Sequence, residues 1–80
     1  MSVLVPSRPT AGLSARQLEI LGHLIAGRSD KQIARESGIA ISSVKNHLVA
    51  IRRAVGARNR QHLVFLALQR QIVLLRDDVR

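Results

Sequence analysis

The sequence predicts an all-α fold, a bundle of four helices in which the second and third form a helix-turn-helix. Three observations carry this expectation. Apolar residues recur at helical spacing, most clearly Val44, Leu48, Ile51 and Val55 at i, i+4, i+7 and i+11. The stretch SDKQIARESGIA reads as a short helix that stops at Gly38, whose freedom to take φ > 0 lets the chain turn sharply before the next helix. No strand, internal repeat or low-complexity tract is indicated.

Residues 1–12 contain Pro6, Pro9 and Gly12 among small polar residues, and are expected as a flexible N-terminal arm. Ser14 is suited to cap a first helix from Ala15 to about Ala26, with Leu13 placed to staple onto Leu18. Leu18, Leu21, Leu24 and Ile25 make its buried side, and Gly27 stands where a left-handed residue would close it. Ser29 caps a second helix, Asp30 to about Ser37, with Asp30 near the positive end of its dipole and Ile33 and Ala34 as its apolar face. The third helix runs from about Ile41 to Ala54 and Gly56 ends it. Arg58, Asn59 and Arg60 then form a polar link, with Asn59 the cap of a fourth helix reaching about Leu75. The folded domain is thus expected over residues 13–76, with 77–80 as a tail.

The fourth helix is too apolar for its size. Leu63, Val64, Phe65, Leu66, Ala67, Leu68, Ile72, Val73, Leu74 and Leu75 cover more than one face, and three other short helices cannot bury them all. A symmetry-related copy is the simplest cover, which makes this the dimerisation helix. The stripe left outside is Val64, Leu68, Gln71 and Leu75, at i, i+4, i+7 and i+11.

Eighty residues without cysteine form one small domain with no disulfide or thiolate metal site, and its single aromatic residue, Phe65, leaves an aliphatic interior. So small a core makes help from a second subunit expected. The net charge of +8 points to polyanions, nucleic acid ahead of an anionic membrane surface. A merely soluble basic surface is the bland alternative. Distribution weighs against it: no acidic residue occurs between Ile39 and Arg76. Pro6 interrupts the initial apolar run too early for a signal sequence, and no stretch approaches the ~20 apolar residues of a membrane span. A cytoplasmic protein with no membrane partner is expected.

Opposite its apolar stripe, the third helix carries Ser42, Lys45, Asn46, Val49, Arg52 and Arg53, with His47 on the flank. This mixture of hydrogen-bonding and cationic groups suits DNA. Lys45 can donate to guanine O6 or N7, Asn46 can pair bidentately with adenine, and Val49 can offer methyls to thymine.

In order, LSARQLEIL, GRSDKQIARESGI and SVKNHLVAIRRAVGARNRQHLV resemble the LuxR-type helix-turn-helix family, the DNA-binding output domain of many bacterial response regulators and quorum-sensing receptors. The agreement runs from Leu13 to about Val73. It comprises Arg16, Glu19 and Leu21, then Gly27, Ser29, Lys31, Ile33 and Ala34, then Gly38 and Ile39, then Val44, Lys45 and His47, and finally Gly56, Arg60 and Val64. This chain departs at Ala40, where the family usually has Ser or Thr, and at Ile41, usually polar, so the customary N-cap of the third helix is missing unless Ser42 or Ser43 takes over. Ser37 replaces a usual Leu, and Leu63 a usual Ala. Gln71 stands where a helix-ending Gly is common, from which a longer fourth helix is expected. With no receiver or ligand-binding domain ahead of it, the chain looks like the free-standing members.

The resemblance implies a dimeric, sequence-specific regulator of transcription bound to double-stranded DNA, with Lys45, Asn46 and Val49 on the groove-facing side. Phosphate contacts are expected from Lys31, Ser42, Ser43, His47, Arg52, Arg58 and Arg60. RNA polymerase is a further partner that family activators touch, although no residue here identifies that surface. The alternative is a protein-interaction module that binds another regulator through the apolar last helix; the intact set Lys45, Asn46, His47 and Arg52 argues against it. His23, His47 and His62 form no metal-ligand spacing, and Glu19 and Glu36 accompany no nucleophile or paired-carboxylate motif. No catalytic residue, metal or cofactor is expected, and Glu19 is assigned a structural task.

Overall fold

The computed structural model describes residues 2–6, 12–70 and 73–77. Its body is all-α: α1 is Ala15–Ile25, α2 Asp30–Ser37, α3 Ile41–Val55 and α4 Arg60–Gln69. Local chemistry sets each start. The Ser14 hydroxyl accepts from the Gln17 backbone N–H while the Gln17 side chain accepts from the Ser14 N–H, and Ser29 and Gln32 repeat the exchange at α2. Asn59 Oδ1 accepts from the His62 N–H to start α4. Gly38 and Gly56 close α2 and α3 at φ 69° and 83°, a left-handed conformation that a β-carbon penalises.

The helices meet over an aliphatic core in which Ile20, Leu21, Ile33, Val44, Ile51 and Leu63 are fully buried. Each such side chain contributes about 1.5–3 kcal/mol relative to exposure. The stripe Val44, Leu48, Ile51 and Val55 faces this core, as its spacing predicts. Leu18 and Ile25, expected inside, are half-buried at its margin. Among the described residues no helix is long and apolar enough to cross a membrane.

Two expectations about the chain ends are corrected. α4 stops at Gln69 instead of running to Leu75, and Val73–Asp77 form a strand, β2. Ser2–Pro6, expected as a loose arm, form a strand β1 antiparallel to it, from Ser2 opposite Asp77 to Pro6 opposite Val73. The physical reason lies in residue type and in pairing. SVLVP and VLLRD are rich in β-branched residues and leucine, and each segment supplies the hydrogen-bonding edge that the other lacks. Arg70 ends the helix: its N–H bonds the Leu66 and Leu68 carbonyls, and its Nη1 donates to the Val55 carbonyl at 2.9 Å, tying the end of α4 to the end of α3.

Candidate nucleic-acid interface

Burying the Val44 stripe turns the rest of α3 outward. Lys45, Asn46 and Arg53 are exposed, and Val49 and Arg52 are half-buried beside them. Ser42 is exposed, while Ser43 and His47 are half-buried on the flanks. The α2–Gly38–α3 turn brings a second element to the same side. Lys31 in the first turn of α2 and Lys45 line one open cleft, together with Ile41, Arg28, Arg60 and Val64.

The charge of this surface is largely uncompensated. Glu19 lies 3.6 Å from Arg16 and 3.9 Å from His23, Glu36 pairs with Arg28 at 3.2 Å, and Asp30 pairs with Arg60 at 2.6 Å. All three acids of the helical body are therefore matched inside the domain. Among the described residues Lys31, Lys45 and Arg53 make no ion pair, so their field is free to act on an external polyanion.

The start of α3 is bare. Ala40 holds the N-cap position in extended geometry, φ −70° and ψ 152°, and no side chain accepts from the first-turn N–H groups. Neither Ser42 nor Ser43 takes over the missing cap. A positive helix terminus beside Lys31 and Lys45 adds to the attraction for phosphate.

The expected phosphate residues divide. Arg52 Nη1 donates to the Arg58 carbonyl at 3.4 Å, and the Arg58 N–H donates to His62 Nδ1 at 2.9 Å, so the α3–α4 link is held in one shape with the Arg58 side chain exposed. Arg60 has partners within the chain. Its Nη1 bonds Asp30 and its Nη2 donates to the Arg28 carbonyl at 3.0 Å, which makes it a tie between the first turns of α4 and α2. Arg16 is engaged in a similar way, with Nη1 on the Ser37 carbonyl at 3.1 Å. Glu19, His23, Glu36 and Arg28 form a cluster linking α1, α2 and the loop between them. Glu19 itself lies against residues of its own helix, Arg16 and His23.

The outer face of α4 needs a correction. Val64 is half-buried and Leu68 is exposed, but Leu75 lies in β2, off the helix, and Gln71 lies outside the described residues. Phe65, an apolar residue of α4 outside the expected stripe, is 58% exposed and sits one turn before Leu68. The exposed apolar patch is therefore Phe65 and Leu68, flanked by Val64. Its signal in the sequence was the i, i+3 pairing of the only aromatic residue with Leu68, which the longer i, i+4, i+7 stripe obscured.

Comparison with known proteins matches residues 11–67 to the family of bacterial regulatory proteins described as the luxR family. A putative HTH-type transcriptional regulator of Escherichia coli K12, YhjB, is 48% identical over 48 residues, covering 60% of this chain and 24% of that protein. The Vibrio cholerae VqmA dimer, solved in the absence of its target DNA, superposes with a TM-score of 0.76 at 35% identity, over 78% of this chain and 28% of that one. VqmA in complex with ligand and DNA superposes at 0.75 with 27% identity, over 95% of this chain and 39% of that one. The chain thus spans about a quarter of the length of the curated relatives it matches. With the family's model covering the helical body and its helix-turn-helix reproduced in the fold, the chain belongs to the luxR family of bacterial regulatory proteins.

Proposed function

We propose that this domain binds double-stranded DNA sequence-specifically, as a dimer, with α3 in the major groove, and regulates transcription. One observation carries the reading: the outward side of α3 carries Lys45, Asn46 and Val49, a set of base-edge donors, acceptors and methyls, and Lys45 lines one cleft with Lys31 of α2, which makes no ion pair among the described residues. A fold neighbour whose structure holds DNA supports it. Lys31, Ser42, Ser43, His47, Arg52 and Arg58 border that face and serve as phosphate contacts, which set register without reading sequence. The Phe65 and Leu68 patch on α4 pairs with its own copy across a two-fold axis, placing two α3 helices on neighbouring turns of the duplex, about 34 Å apart.

Salt dependence tests this reading. A dimer contacting about six to ten phosphates loses affinity roughly 10³- to 10⁵-fold between 50 and 200 mM salt. A flat response removes DNA from the account.

A further inference from the structure

Ile41 is one of three large apolar side chains left exposed on the helical body, at 41%, and the only one on the α2–α3 unit. It lines one cleft with Leu24, Ile25 and Val64 and still leaves that much of its side chain to solvent. It occupies the first turn of α3, where a hydrogen-bonding or acidic residue would serve the bare N–H groups better, and its β-branch is a modest cost in a helix. It does not enter the core formed by Val44 and Leu48. What it does share is a ridge: Ile41, Lys45 and Val49 follow at i, i+4 and i+8, and Ile41 and Lys45 border the same cleft.

A recognition helix presents its N-terminal residues to base edges, and the one apolar group that the major groove of unmodified DNA offers is the thymine 5-methyl. We propose that Ile41 is a specificity-determining residue that packs on a thymine 5-methyl; its backbone lies about 6 Å along the helix from that of Lys45, which puts the two contacts within one or two base-pair steps of each other. The inference rests on the DNA-binding reading above and deepens it. A 5-methylcytosine presents the same methyl group at the same place in the groove, so it substitutes for the thymine in this contact.

The test uses the full chain and the duplex it prefers from a random pool. Each thymine is replaced singly by deoxyuridine, which removes only the methyl, and affinities are measured for wild type, Ile41→Ala and Val49→Ala. At one thymine per half-site the replacement weakens wild type about fourfold, the worth of one buried methyl, and leaves Ile41→Ala unchanged. Val49→Ala retains the loss at that thymine. A 5-methylcytosine there binds wild type better than cytosine does, and the gain vanishes in Ile41→Ala. Ile41 is exposed, so Ile41→Ala keeps the wild-type melting temperature. Specific binding with every deoxyuridine effect persisting in Ile41→Ala overturns the assignment while leaving the DNA-binding reading intact. A preferred site with no thymine within two steps of the Lys45 base does the same, and so does a loss of cooperativity that is equal on thymine and deoxyuridine, which places Ile41 in the dimer contact. Wild type with no preferred duplex overturns both.

Discussion

Arg60 Nη1 meets Asp30 Oδ1 at 2.6 Å and its Nη2 reaches the Arg28 carbonyl at 3.0 Å, so one side chain joins the first turns of α4 and α2. Arg60→Ala is expected to cost about 1–2 kcal/mol, since both partners are partly exposed and solvent screens the pair. For a domain of this size that lowers the melting temperature by about 4–16 °C. DNA affinity measured well below that temperature changes little. Unaltered melting with a salt slope reduced by about one would instead place Arg60 on phosphate.

Ser37 Oγ is buried and lacks a hydrogen-bond partner among the described residues. Ser37→Ala removes that unsatisfied hydroxyl and supplies a better helix former, so stability rises by about 1 kcal/mol in chemical denaturation. A loss of stability would show that the hydroxyl is satisfied in solution.

Ala40 already has the backbone geometry of an N-cap but no side chain to use it. Ala40→Asp is expected to stabilise α3 by about 1 kcal/mol while weakening DNA binding, because it fills the first-turn N–H groups and sets a carboxylate against phosphate. Ala40→Ser gives the stability with a smaller loss of affinity. Equal affinities for both variants would remove the α3 terminus from the interface.

Leu68→Glu places two like charges in the proposed α4 seam and, because Leu68 is 46% exposed, leaves the monomer helical by circular dichroism. Cooperative binding to a duplex with two half-sites is lost, and binding to a single half-site is only slightly changed. Phe65→Ser behaves alike. Retained cooperativity in both variants would put the dimer contact elsewhere.

The helical body was legible because its signals are local. Ser14, Ser29 and Asn59 read as caps, Gly38 and Gly56 as stops, and the Val44 stripe as a core face, each within about three turns of chain. The strands were not, since SVLVP and VLLRD carry no period that separates a strand from a helix end and each depends on a partner about seventy residues away. The same limit applies to Arg60 and Arg70. Sequence does not tell a cation that ties its own chain, as Arg60 does to Asp30 and the Arg28 carbonyl and Arg70 to the Val55 carbonyl, from one with no internal partner.

The most direct test of the central claim, that the outer face of α3 reads bases, compares the affinities of wild type and Lys45→Ala for the preferred duplex and for random duplex in the same salt. Lys45→Ala is expected to lose about 1–3 kcal/mol on the preferred site, to lose far less on random DNA, and to relax base preference at one position of each half-site. Lys31→Ala, a phosphate contact, weakens both duplexes alike. An equal loss on both duplexes for Lys45→Ala would contradict the account.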